Sequence, residues 1–126
     1  MKIEIRRQVK DNIIHEKSLQ YAVRIVKFYT FLRENKGEYV ISKQILRSGT
    51  SIGANIRESK NAESNSDFIH KLSVALKEAD ETQYWLELLS LSQIIDAAEF
   101  NSMHEDVKEI IALLTSIINK IKREKK

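Results

Sequence analysis

Three histidines, His15, His70 and His104, are the only imidazoles in the 126-residue chain, and it has no cysteine. Nucleophilic or acid–base chemistry needs a base held within hydrogen-bond reach of a hydroxyl or thiol. Ser51 lies near Asn55, but no histidine stands near it on the same helical run. His15 precedes Glu16 and His104 precedes Glu105, a pairing ordinary for a helix surface. Helical bundles that hold two metals use paired Glu-x-x-His motifs from facing helices. This chain has no Glu-x-x-His, and its nearest approach, Asp67-x-x-His70, occurs once. No G-x-x-x-x-G-K-[ST], G-x-G-x-x-G or H-E-x-x-H is present. The missing thiols exclude a disulfide framework, a cysteine nucleophile, a Cys-ligated zinc site and an iron–sulfur cluster. The expectation is a protein with no catalytic residue, no metal site and no cofactor.

One polar cluster does repeat at helical steps. Arg47, Ser51, Asn55 and Glu58 are spaced by four, four and three, which lines them along one side of a helix. Glu78, Glu81, Thr82 and Trp85 do the same further on. An inward Arg47 or Asn55 needs partners, because a buried polar group left unpaired is costly. Glu78 and Glu81 are the expected partners. Two readings stand: a hydrogen-bonded network that fixes helix register, or a ligand pocket walled by Trp85.

The elements that position these residues are legible from composition and period. There is no proline, and the three glycines are Gly37, Gly49 and Gly53. So few turn residues exclude an all-β sandwich or barrel, which turns every ~8–12 residues. At 42% hydrophobic and 31% charged, the chain reads as globular rather than disordered. Four helices are expected, over residues 12–34, 38–60, 64–92 and 97–123. In the first, Leu19, Ala22, Val26, Tyr29 and Leu32 recur at threes and fours and are expected to face inward. Ile41, Ile45, Ser48, Ile52 and Ile56 form the stripe of the second. Gly49 and Gly53 interrupt it with small side chains, which implies that another backbone approaches closely there. The third has a seam of Phe68, Leu72, Ala75, Ala79, Leu86 and Leu89. Ile69, Leu76, Tyr84, Leu88 and Leu91 widen it enough to touch more than one neighbour. Val107, Ile110, Ile111, Leu114, Ile117, Ile118 and Ile121 stripe the fourth. Ser64-x-x-Asp67 and Asp96-x-x-Glu99 resemble capping boxes at the last two starts.

Helices of ~23–29 residues are ~35–43 Å long, and links of a few residues make successive helices antiparallel. The expected fold is all-α: an antiparallel up-down-up-down four-helix bundle. It is one domain over residues 12–126 with a basic C-terminal tail. Residues 1–11 are expected outside it, as an extended or disordered arm. No apolar run reaches the ~20 residues of a spanning helix, and no apolar h-region follows the basic start. The expected location is the cytoplasm, with no membrane partner.

The net charge of +3 hides a segregation. Residues 1–60 carry 13 Lys and Arg against 6 Asp and Glu; residues 61–106 carry 2 against 10; residues 107–126 carry 6 against 2. Helices one, two and four are basic and helix three is acidic. One reading is internal complementarity, the acidic helix packing between basic neighbours or against another subunit's basic face. The other is a polyanion-binding surface built from Arg6, Arg7, Lys10, Lys17, Arg24, Lys120, Lys122, Arg123, Lys125 and Lys126. Phosphate contacts of that kind give salt-dependent, weakly sequence-selective binding.

The run Ser42 to Glu58, SKQILRSGTSIGANIRE, resembles the signature of the bacterial 23S rRNA intervening-sequence proteins. Their pattern Gln-Leu-x-Arg-(small)-x-Ser-Ile-x-x-Asn-Ile-x-Glu-Gly is filled here by Gln44, Arg47, Ser51, Ile52, Asn55, Ile56 and Glu58. Phe68, Ala75, Leu76, Glu81, Thr82 and Leu86 are similar to the helix that follows in the family, and residues 12–18 to one branch of it. Ser59 stands where many members have glycine. The likeness extends from residue 12 to about 121. It implies a four-helix bundle that assembles as a homopentamer, with no enzymatic activity and no catalytic residues. Some members resemble accessory proteins of diversity-generating retroelements, whose basic pentamers bind nucleic acid and a reverse transcriptase. The resulting expectation is a non-enzymatic oligomer that associates with RNA or DNA. The alternative is a protein-interaction scaffold that binds no nucleic acid.

Overall fold

Four proline-free runs become four helices in the computed structural model, which describes the backbone of residues 2–124 and the side chains of residues 12–124. These are α1 (Lys2–Lys36), α2 (Ile41–Ser59), α3 (Asn65–Leu91) and α4 (Ala97–Glu124). No strand occurs among the described residues. The N-terminus differs from expectation: the backbone of residues 2–11 continues α1 instead of forming an extended arm. That stretch contains no glycine or proline. Extending an existing helix also costs far less than nucleating a new one.

The turns show how each helix stops and starts. Gly37 takes φ +63°, a conformation that suits a residue without Cβ, and the Glu38 N–H donates back to Leu32 O at 2.9 Å. The Glu38 carboxylate then caps α2, accepting from the N–H groups of Val40, Ile41 and Ser42 at 3.2, 3.0 and 2.7 Å. Ser64 accepts from Asp67 N at 3.0 Å. Asp96 and Glu99 cap each other reciprocally, both bonds at 2.8 Å. The Asp96–Glu99 box matches its sequence signal in full, and the Ser64 one only by half, because the Asp67 carboxylate accepts from Glu63 N at 3.4 Å rather than from Ser64 N. The α3–α4 turn gave no such signal. Gln93 takes φ +62° there, and Ile94 N–H donates to Leu89 O at 3.0 Å, so a non-glycine residue holds the left-handed cap.

Pairings across the seams run in opposite directions along each helix pair. Arg47 meets Glu78 while Glu58 meets Lys71; Lys17 meets Glu109 while Arg24 meets Asp106. Each helix packs closely on the two beside it, and α1/α3 and α2/α4 are the diagonal pairs. The result is an up-down-up-down bundle with one core.

The core takes the expected seams of α2, α3 and α4. Helix α1 is a correction. Leu19 and Val26 were expected inside, yet they are exposed; Leu32 is buried as expected, but its companions in the core are Ile14, Tyr21, Ile25 and Phe28. Apolar residues lie on two sides of α1, so its period alone could not choose the inward one. Its outer stripe stays in solvent.

Candidate functional site

Two groups of polar residues are built by this fold: a seam between α2 and α3, and a basic end of the bundle. In the seam, Arg47 reaches across from α2 to Glu78 at 3.1 Å and also pairs with Glu81. The Trp85 indole N–H donates to the same Glu81 carboxylate at 3.1 Å. Ser51 Oγ donates to Arg47 O at 2.6 Å and Asn55 Nδ2 to Ser51 O at 2.9 Å, so both bind back onto their own helix. Glu58 lies apart from Arg47 and pairs with Lys71 at 3.2 Å. Arg47 is exposed rather than inward, and Trp85 is half-buried. The seam's buried member is a pair the sequence did not single out as partners: the hydroxyls of Ser48 and Thr82, hydrogen-bonded at 2.9 Å in the core. The arrangement can hold register between two helices. It gathers no nucleophile and base.

The antiparallel topology brings the start of α1, the end of α2 and the end of α4 to one end of the bundle. Lys122 and Arg123 are exposed there and border a depression of about 390 Å³ with Ser116 and Asn119. Lys120 is half-buried one turn away. Lys125 and Lys126 follow α4 and, with the side chains of Arg6, Arg7 and Lys10, lie outside the described residues. Sequence reasoning missed two cations at this end, Arg57 and Lys60, both exposed at the close of α2. They stand close enough to His15 on α1 to act on it. Burial, then Lys60 and Arg57, hold the imidazole below its usual range and so keep it neutral. Only the tertiary arrangement joins these three, although the basic last turn of α2 is readable.

Two candidate phosphate contacts are engaged inside the molecule. Lys17 pairs with Glu109 at 2.7 Å, and that hydrogen bond raises its pKa above the ordinary lysine value. Arg24 pairs with Asp106 and donates to Ser102 O at 3.1 Å and to Ser102 Oγ at 2.6 Å. Both clamp α1 to α4. The nearby Tyr21 hydroxyl donates to Met103 O at 3.0 Å in the core, and burial pushes its pKa well up.

A groove of about 270 Å³ runs between α1 and α2, with His15 and Arg57 on its rim and Leu19, Ala22, Gly53 and Ala54 along it. Among the described residues, no group of three or more His, Asp or Glu is placed to hold a metal ion. No described helix is long and apolar enough to cross a membrane.

Residues 10–116 match the family described as 23S rRNA-intervening sequence protein. A solved crystal structure of a protein of unknown function, from the S23 ribosomal protein family of Bacteroides thetaiotaomicron VPI-5482, is similar in both sequence and fold. It is 57% identical, the match covers 87% of this chain and 98% of that one, and the TM-score is 0.86. Among curated proteins none matches.

Proposed function

Because the chain belongs to the 23S rRNA-intervening sequence protein family, we propose that it is a non-enzymatic bundle protein of the cytoplasm, acting as an assembly of several copies that associates with RNA or DNA. The resemblance of its second and third helices to the family suggests five copies. The observation that carries the nucleic-acid reading is that α2 closes on exposed Arg57 and Lys60 and α4 on exposed Lys122 and Arg123. Scattered cations of this kind neutralise phosphates without reading bases. Repetition around an assembly multiplies a modest affinity per copy through effective concentration. Lys17 and Arg24 contribute less, because their charges already face Glu109 and Asp106.

The test is retention of a generic RNA across salt. Binding is expected at about 50 mM salt and should fall steeply towards about 200 mM. The exposed double variant Lys122→Glu/Arg123→Glu should bind more weakly and with a shallower salt dependence. No retention at low salt removes the reading, and retention indifferent to salt removes the phosphate contacts. A scaffold that binds only protein is the second reading. Tyr84 and Leu91, apolar yet 57% and 84% exposed on α3, favour it.

A further inference from the structure

Most cations that reach across a seam meet a carboxylate: Lys17, Arg24, Arg47 and Lys71 each have one. The close of α2 is different. His15 from α1 and Arg57 from α2 border the same groove, and exposed Lys60 follows Arg57 by three positions. Neither Arg57 nor Lys60 makes an ion pair among the described residues. The carboxylates on the surrounding elements have other partners: Glu16 accepts from Gln20 Nε2 at 3.2 Å, Glu58 pairs with Lys71, Asp67 accepts from Glu63 N at 3.4 Å, and Glu109 on α4 holds Lys17. Glu63 is exposed in the turn to α3, and the side chain of Asp11, four positions before His15, lies outside the described residues. Burial, Lys60 and Arg57 act on the His15 ring in one direction, all against its charged form.

Cations clustered in this way repel one another. An oxyanion among them turns that repulsion into charge-assisted hydrogen bonds from a guanidinium, an ammonium and an imidazole N–H. The hydroxyls beside them are engaged: Ser18 Oγ donates to His15 O at 3.1 Å and Thr50 Oγ1 to Leu46 O at 2.7 Å. The carbonyl end of a helix repels an anion, but here the turn covers it. Arg57 O, Glu58 O and Ser59 O accept from the N–H groups of Lys60, Asn61 and Ala62 at 3.2, 3.0 and 3.1 Å. Donors arriving from two helices and a turn suit a tetrahedral oxyanion better than a planar carboxylate. We propose that His15, Arg57 and Lys60 form a site for one phosphate group, and that His15 takes a proton from solvent as the site fills. The negative charge of a phosphate favours the imidazolium, opposite to the effect of Arg57 and Lys60 alone. This goes beyond the nucleic-acid reading, since a free phosphate fills the site as well as one in an RNA backbone.

The test follows the three imidazoles of the full chain by proton NMR between about pH 5 and 8. It is run in sodium phosphate and in sodium chloride of equal ionic strength, so that screening is the same in both. In phosphate the His15 midpoint should rise by about half a unit, while His70 and His104, which do not line the groove, stay where they are. Arg57→Gln should raise the His15 midpoint in chloride and remove most of the phosphate shift. Lys77→Gln, an equal loss of charge at an exposed place on α3, should do neither. Melting curves check that both exposed substitutions leave the fold intact. Three results overturn the proposal: no movement of His15 in phosphate, an equal movement of all three histidines, or a shift that survives in Arg57→Gln. A shift seen only in Asp11→Asn overturns it too, because that carboxylate then holds the cations. A short RNA without terminal phosphates is the second arm. If it moves His15 as phosphate does, the occupant is a backbone phosphate. If inorganic phosphate alone does so, the site takes free phosphate, and the nucleic-acid reading loses its α2 contacts while this proposal stands.

Discussion

Helix α1 meets glycine along α2 and polar side chains along α4, and the two seams hold by different physics. A Cβ on Gly49 would sit 2.6 to 2.9 Å from three side-chain carbons of Ile25, so Ile25 occupies the notch that glycine leaves. A Cβ on Gly53 would come within 3.3 Å of Ser18 O. Against α4 the same helix uses straps: Tyr21 to Met103 O, Arg24 to Ser102 and Asp106, and Lys17 to Glu109. The first seam depends on atoms being absent and the second on atoms being present. A steric notch has no substitute when it is filled. Straps are several, and their exposed members lose strength to solvent.

The sharpest way to break this contrast is to fill the notch. Gly49→Leu should destabilise by about 3 kcal/mol, near the top of the range for overpacking, even though leucine is the better helix former by most of ~1 kcal/mol. The seam idea also demands coupling. Ile25→Ala alone should cost about 2–5 kcal/mol as a cavity, but the pair should cost less than the sum of the two single changes. Urea midpoints of the four proteins measure this. Additive behaviour would mean that Ile25 does not own the space above Gly49. Next in size is the buried strap. Tyr21→Phe leaves the ring in the core and removes its hydrogen bond to Met103 O, for an expected loss of about 1 kcal/mol.

How much of this was readable differs between the same two seams. The close approach at Gly49 and Gly53 followed from the sequence, because two glycines inside a strong apolar stripe need a packing reason. The straps were invisible. Lys17 and Arg24 read as solvent cations because nothing local says that Glu109 and Asp106 will stand opposite; that depends on antiparallel register. The inward side of α1 failed for a related reason, since Leu19, Val23 and Val26 repeat as regularly as Ile14, Tyr21 and Ile25. In the α2–α3 seam, Arg47 pairs with Glu78 and Glu81, but from an exposed position and not as the inward group for which partners were sought. Ser51, Asn55 and Glu58 shared its stripe but not its partners, because a common helix side does not fix reach across a gap. The turn at Gln93 carried no signal at all, glycine being the usual mark of a left-handed cap.

The exposed strap should matter less than the buried one. The side chains of Arg24 and Asp106 are 37% and 45% exposed. Arg24→Ala should therefore cost no more than about 1 kcal/mol, and its effect should shrink as salt screens the pair. If Arg24→Ala costs more than Tyr21→Phe at moderate salt, the ranking of buried over exposed straps is wrong.

The smallest expected effect separates the seams by pH. His15 sits half-buried at the α1–α2 edge, and burial with Lys60 and Arg57 lowers its folded pKa from 6.5. Above that pH the imidazole is neutral in both folded and unfolded chains and contributes no difference. As pH falls below it, the unfolded chain takes up the proton first, so folding stability declines until the folded imidazole is protonated too. Lys17 on the other seam behaves in the opposite sense, because Glu109 raises its folded pKa from 10.5. Its contribution is complete below that value and disappears only as pH climbs beyond it. Between pH 5 and 8, then, the α1–α2 edge should respond and the Lys17 strap should not. The check subtracts the stability curve of His15→Asn from that of the wild type. The difference should be level well above pH 6.5 and move against the wild type as pH falls through it, while the same subtraction for Lys17→Gln stays level throughout. An acid-side slope shared by both subtractions would mean that the acid response belongs to the whole bundle rather than to the cations gathered around His15.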